Sequence, residues 1–427
     1  SRKVDRIIGV GEEISAAAPR FEIEKQFFRT TAELIESGIL NSLRNEVVLI
    51  KGARAFHFDD ITDLLELKVH ETILEINLEA LVDNLNHYRN KLKPDTKMVC
   101  MVKASAYGAG SFEVAKTLED HRVDYLAVAV ADEGADLRKA GINSSIIIMN
   151  PELTAFKTMF DYKLEPEVYS FHLLEELIKA AGREGVSNFP IHIKIDTGMH
   201  RLGFAPEEVP YLVDRLHRQS AVIPRSVFSH LVGSDAERFD SFTRRQIETF
   251  EAAAGFNHKI LRHICNTAGI ERYPGAQFDM VRLGIGLYGI DPFTNKILHN
   301  VGTLKTTILQ IHNVPADETV GYSRKGVLNR DSRIAAIPIG YADGLNRHLG
   351  NGNAYCLVNG QKAPYVGNIC MDVCMIDVTD IDCKEGDKAI IFGDDLPVTV
   401  LADKLNTIPY EILTSVSNRV KRVYYQN

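Results

Sequence analysis

Apolar and polar positions along the chain fall into three patterns. Between residues 72 and 302, short apolar runs alternate with stretches whose apolar residues recur at helical spacing. The runs predict strands at 97–102, 125–130, 145–149, 166–169, 190–195, 226–230, 261–265 and 280–284. The periodic stretches predict helices at 112–120, 131–140, 173–181, 206–218 and 241–254. Parallel strands need such crossovers, and near-continuous apolar strands indicate burial on both faces. Eight strand–helix units in this length fit a (β/α)8 barrel, with a doubly wound sheet as the alternative.

After residue 304 the pattern changes. Short apolar runs at 334–339, 355–358, 376–378 and 389–392 are separated by Gly, Asp and Asn. Val358-Asn359-Gly360-Gln361 is a hairpin signal, because Asn-Gly supplies the positive φ angles of a type I′ turn. Residues 304–427 therefore read as a mainly β C-terminal domain. Residues 1–67 form a short α/β segment, with strands at 6–10 and 46–52 and helices at 31–37 and 61–67. The fold class is thus α/β: a barrel over 72–303 followed by a β domain, with a small piece in front.

Composition narrows the function. The chain has 427 residues and a net charge of −8, which speaks against nucleic acid as a partner. No apolar run is long enough to span a membrane, and no secretory start is present. Six scattered cysteines form no C-x-x-C pair, so free thiols and a cytoplasmic location are expected. The histidines show no metal-ligand spacing, and no metal is expected. A chain opening on Ser1 is expected to be a fragment or a processed product.

A barrel places its chemistry at the C-terminal ends of its strands. There the sequence puts Lys103, Lys194 with Asp196, His230, Asn266 with Thr267, and Arg282 with Gly284. Thr267 and the backbone at Gly284–Ile285 are suited to a phosphate near the last two strands. Lys103 follows an apolar run. It is either a lysine snorkelling at a strand end or a partly desolvated amine able to condense with an aldehyde cofactor.

Five segments resemble the motifs of alanine racemases, in the order that family has them. They are Val102-Lys103-Ala104-Ser105-Ala106-Tyr107-Gly108-Ala109-Gly110, Lys194-Ile195-Asp196-Thr197-Gly198-Met199-His200-Arg201-Leu202-Gly203-Phe204, Asp279-Met280-Val281-Arg282-Leu283-Gly284-Ile285, Ile339-Gly340-Tyr341-Ala342-Asp343-Gly344 and Val366-Gly367-Asn368-Ile369-Cys370-Met371-Asp372. The resemblance spans residues 70 to 427. It implies an isomerase that interconverts L- and D-alanine for peptidoglycan synthesis, with pyridoxal 5′-phosphate as cofactor. It further implies a homodimer whose active sites are shared across the interface.

By matching position, Lys103 would hold the cofactor. Tyr107, Thr267, Gly284, Ile285 and Tyr410 would contact its phosphate, with Asn266 beside them. Arg282 would face the pyridine nitrogen and His230 would lie against the ring. Arg201 would touch the cofactor and the substrate carboxylate, Met371 would touch substrate, and Tyr341 would line the mouth of the site. Lys103 and Tyr322 would be the two bases, one for each face of the substrate. Lys194 matches a lysine that the family often carries as a carbamate. Ser105 and Ala109 stand where Asn and His are more usual, and Leu283 stands where Pro is common. Other readings are a racemase of another small amino acid such as serine, or a cofactor-binding module inactive on its own.

The front segment, 1–67, resembles the C-terminal end of a Mur ligase. Asp5-Arg6-Ile7-Ile8-Gly9-Val10-Gly11-Glu12 and Val48-Leu49-Ile50-Lys51-Gly52-Ala53-Arg54-Ala55-Phe56 carry that similarity. With no G-x-x-x-x-G-K-[ST] loop in the chain, ligase activity is not expected. The implied parent is a ligase–racemase fusion.

Overall fold

The computed structural model describes residues 4–43, 46–52, 56, 58, 61, 65, 71–255 and 260–426. They separate into two compact units, 1–71 and 72–427.

In the first unit, parallel strands Arg6–Val10 and Glu24–Phe28 pair in register. Thr30 caps the helix Thr31–Glu36 by accepting from the Glu33 N–H at 3.2 Å, and Glu33 accepts from the Arg29 N–H at 2.8 Å. Val10, Leu34, Leu40 and Ile61 are its core. The second strand is not at 46–52, which has no strand pairing. Val47 and Leu49 stand 103% and 87% exposed there, and of the apolar run only Ile50 packs against the core of this unit. Of the expected helix 61–67 and the similarity at 53–55, only Ile61 and Leu65 lie within the described residues.

The second unit opens on strand Ile73–Asn77 and then builds the barrel. Its strands are Lys97–Met101, Tyr125–Val128, Ser145–Ile148, Leu164–Val168, Phe189–Lys194, Val222–Phe228, Leu261–His263 and Met280–Leu283, all parallel. The eighth strand pairs with the first. Between the seventh and eighth, Asp279 N donates to Arg262 O at 3.0 Å and Arg282 N to Cys265 O at 2.9 Å. The sheet therefore closes on itself, which excludes the doubly wound alternative. The helices expected from periodicity are present. Leu78–Arg89, Phe156–Tyr162 and Thr267–Arg272 are additional.

The C-terminal domain is built on a nine-stranded sheet. Its hairpin Tyr355–Val358 to Gln361–Val366 turns at Asn359 and Gly360, both at positive φ (47° and 74°), as the Asn-Gly pair demands. Strand 73–77, which the sequence placed in the barrel segment, belongs to this sheet instead. It lies antiparallel to Gly302–Thr307 and parallel to Lys421–Tyr425. The chain thus enters and leaves the barrel beside its own C-terminus, and one continuous apolar core runs through both parts. Among the described residues, no helix is long and apolar enough to cross a membrane.

The C-terminal segment also presses on the turn after Lys103. A Cβ on Gly108, whose φ is +84°, would lie 2.2 Å from the Leu413 carbonyl oxygen. Gly185, at φ +69°, has nothing within 4 Å of such a Cβ. Both Gly→Ala changes incur the left-handed penalty of about 1–2 kcal/mol. Only Gly108→Ala adds a backbone overlap, worth a further ~1–3 kcal/mol. Urea unfolding should rank Gly108→Ala well below Gly185→Ala; equal losses would mean the contact is not tight.

Candidate active site

Lys103 begins a left-handed turn. Ala104, Ser105, Ala106 and Tyr107 all have φ between 51° and 54°. Each such L-residue costs about 1–2 kcal/mol, so the surroundings must hold the turn in place. Glu133 accepts from Ala104 N at 2.6 Å and from Ala129 N at 2.8 Å, tying the turn to the second strand's loop. Gly108 N donates to Ala104 O at 3.0 Å and Gly110 N to Ser105 O at 2.9 Å. Tyr107 stacks on Tyr288 at 4.6 Å, and the Tyr288 hydroxyl donates to Met101 O at 2.8 Å. Arg422 Nε donates to Gly108 O at 3.0 Å from the C-terminal strand. Burial, with the Arg201 charge second, holds the Lys103 amine below its usual range, against an upward pull from Glu133.

The barrel interior is more polar than the apolar strands suggested. Successive strand residues alternate faces, so one residue in two points inward. Those positions hold Glu165 and Glu167, His192 and Lys194, Ser226 and Phe228, His263, and Arg282. Arg282 Nη1 donates to His263 Nδ1 at 2.7 Å. Arginine can only donate, which fixes every proton beyond it. His263 Nε2–H donates to Ser226 Oγ at 2.9 Å, and the Ser226 hydroxyl to His192 Nδ1 at 2.6 Å. His192 Nε2–H ends the chain on Glu165 at 2.9 Å. Burial, helped by Arg282, pushes His263 well below its ordinary range, so it stays neutral. Arg282 Nη2 donates to Ser229 O at 2.6 Å and reaches His230 Nδ1 at 3.4 Å. Burial lowers Arg282 to about 10, which leaves it charged at neutral pH. Burial and then Arg282 push His230 well down, so its ring is neutral too.

Above this column lies a cavity of about 370 Å³. Lys103, Tyr107, Lys194, Arg201, His230, Asn266, Thr267, Arg282, Gly284 and Tyr410 all line it. Ten of the residues singled out from sequence therefore converge on one space. Thr267 Oγ1 accepts from Gly284 N at 3.0 Å, and a Cβ on Gly284 would sit 3.2 Å from the Tyr107 hydroxyl. The glycine thus leaves a cradle edged by two hydroxyls. Ile285 is fully buried in the following turn and does not line the cavity. Asp196 accepts from the N–H groups of Gly198, Met199 and His200, shaping the loop that carries Arg201.

Tyr322, Tyr341 and Met371 do not reach this cavity in the single chain. They are exposed by 68%, 45% and 53% on the β domain. They nevertheless lie on adjoining segments. Tyr341 N donates to Cys370 O and Ala342 N to Met371 O, both at 3.0 Å, while Asn368 Nδ2 donates to Tyr322 O at 3.1 Å. The sequence reading missed Glu165, Glu167, His192, Ser226 and His263. The signal was present: Glu-x-Glu at 165–167 and His-x-Lys at 192–194 put polar groups on one face of strands that were read as apolar.

Residues 76–292 match the alanine racemase N-terminal domain, and residues 301–424 match the alanine racemase C-terminal domain. Alanine racemase 1 of Clostridium acetobutylicum is 39% identical over 370 residues, covering 83% of this chain and 95% of that protein. The solved alanine racemase of Clostridium difficile 630 superposes with a TM-score of 0.79 at 35% identity, over 84% of this chain and 97% of the other. The alanine racemase of Bartonella henselae, solved with covalently bound pyridoxal phosphate, superposes at 0.77 with 30% identity, over 83% and 100%. A closed barrel with a lysine on its first strand end, a β domain behind it and these matches lead to one conclusion: the chain belongs to the alanine racemase family.

Proposed function

We propose that this racemase interconverts L- and D-alanine in the cavity above Arg282, with Lys103 and Tyr322 as its two bases. The convergence on one cavity of ten residues singled out from the sequence carries the reading. The cofactor is pyridoxal 5′-phosphate, and the cradle fits it. Lys103 supplies the amine that would hold it, and Thr267, Tyr107, Gly284 and Tyr410 surround the place for its phosphate, with Asn266 alongside and Ile285 behind. When bound, it draws electron density from the substrate α-carbon so that the α-proton can leave.

The chain's own residues then divide the work. Arg201, which lines the cavity, would meet the substrate carboxylate in a charge-assisted pair. Arg282, locked by His263 and Ser229, would hold the cofactor's ring nitrogen as a donor that gives no proton away. Neutral His230 lies beside it. Lys103 Nζ takes or returns the proton on one face of the substrate. Tyr322 serves the other face, with Met371 against the substrate and Tyr341 at the mouth.

Tyr322, Tyr341 and Met371 are exposed together, away from the chain's own cavity, which supports a homodimer in which each β domain completes the other copy's site. On this reading residues 72–303 supply the cofactor site and residues 304–427 the second base. The six cysteines are all free thiols, which suits a reducing cytoplasm. The product would feed peptidoglycan assembly. The motifs at 5–12 and 48–56 support reading residues 1–67 as the closing part of a Mur ligase, and the parent protein as a ligase–racemase fusion.

The purified chain should show an absorbance band that borohydride removes, and should form D-alanine from L-alanine; a chain with neither would refute the assignment. Lys103→Ala and Tyr322→Phe should each abolish most turnover. Co-expressed, they should recover up to about one quarter of wild-type activity, because half the dimers then carry one intact site. No recovery would refute the shared site.

Once the cofactor is stripped, Lys103 should react with an amine-selective reagent along a pH profile whose midpoint lies below that of an ordinary lysine. Arg201→Met removes a positive charge that depresses it, so the midpoint should move up. A midpoint unchanged in that variant would separate Arg201 from Lys103.

A further inference from the structure

Glu167 is the buried acid for which the proposed reaction has no use. It is 1% exposed, and its Oε1 has no hydrogen-bond donor among the described residues. Burial pushes the Glu167 carboxyl up, against the pull of three cations: Lys194, whose Nζ lies 3.9 Å from Oε1, and then Arg282 and Arg201. The strand pairing is the cause. Glu167 sits opposite His192, two residues before Lys194 on the neighbouring strand, and both side chains face inward.

Resting on the site reading above, we propose that Glu167 is the built-in anion of this cluster, so that Lys194 works as an ammonium and not as a carbamate. Two contacts carry this. The first is the carboxylate beside Nζ. A carbamate would place a second anion there, at a distance where like charges repel strongly in a poorly solvated interior. The second is the Phe228 ring, whose centroid lies 4.5 Å from Lys194 Nζ. The face of an aromatic ring is negative: it attracts an ammonium and repels a carboxylate-like group. Charge balance points the same way. Arg282 is 3% exposed and stays charged at neutral pH, and a buried cation without an anion is costly. Glu167 supplies that anion without any added carbon dioxide. Glu167 is then a positioning residue: it holds Lys194, and with it the electrostatic seat of Arg282 and Arg201.

Without the carboxylate the balance reverses. Neutral Lys194 Nζ would attack the carbon of carbon dioxide, forming an N–C bond. One C–O π pair would move onto oxygen, and a proton would leave Nζ for solvent. The resulting carbamate would restore the missing negative charge.

The test uses the holoenzyme incubated with ¹³C-bicarbonate and read by carbon NMR. The wild type should show no protein-bound carbamate. Glu167→Gln should show one that Lys194→Ala in the same background removes, and its racemase activity should rise severalfold with bicarbonate while the wild type stays flat. Glu167→Asp, which keeps the charge, should behave as the wild type. A wild-type carbamate signal that Lys194→Ala abolishes would overturn the proposal. So would Glu167→Gln with neither the signal nor the bicarbonate response. The wild-type spectrum decides the question even if the variants fold poorly. It also reports on Lys194 whether or not the sample racemises alanine, so failure of the site reading is seen separately, in the absorbance and turnover of the same sample.

Discussion

Four consecutive L-residues in the left-handed region follow Lys103, and much of the molecule is arranged so that they can stay there. At about 1–2 kcal/mol each, such a turn would not persist in an isolated strand–helix unit. Glu133 holds it from the barrel side, and Tyr288 stacks beneath Tyr107. Arg422 and the Leu413 carbonyl press on Gly108 from the C-terminal segment. This explains why strand 73–77 lies between 302–307 and 421–425. By joining the two ends of the unit in one sheet, it brings the C-terminus against the lysine turn. The strain at Lys103 and the topology of the β domain are two sides of one constraint.

The interior of the barrel obeys a second constraint. A barrel core is usually filled with branched apolar side chains. Here the inward positions of several strands carry polar groups, and each must be satisfied. The run from Arg282 through His263, Ser226 and His192 to Glu165 does this with one proton per link and no ambiguity of tautomer. Because arginine has no acceptor, the line has a direction, and it keeps Arg282 rigid and charged beneath the cavity. Glu167 and Lys194 form the next layer up, between that column and the substrate space.

On the proposed reading the β domain supplies the rest of the site. Gly340 lies so near the Met371 carbonyl that a Cβ would fall 2.2 Å from it, and this close approach keeps the Tyr341 and Met371 segments side by side. Arg419 binds Asp343 at 3.0 Å and Asp372 at 2.8 Å, bracing the same two loops. Exposed on adjoining loops, these residues suit the proposed site shared between copies and lie away from the chain's own cavity.

Much of this was legible in the sequence. Periodicity alone placed the eight barrel strands and most of their helices, because strands buried on both faces and helices with one apolar stripe leave distinct spacings. The Asn-Gly hairpin followed from local backbone chemistry at two residues. The ordered motifs named Lys103, Arg201 and Arg282, and matching position added Thr267 and Tyr410; the cavity then brought them together. Other features depended on tertiary structure. An exposed run such as 46–52 looks like a strand until no sheet is found for it to join. Strand 73–77 could not be assigned to the second sheet, since its partners lie more than two hundred residues away. Nor could the sequence say that Glu167 meets Lys194 or that Ser226 joins two histidines. Strand register decides those pairings, and a shift of one residue would turn every one of these side chains to the other face.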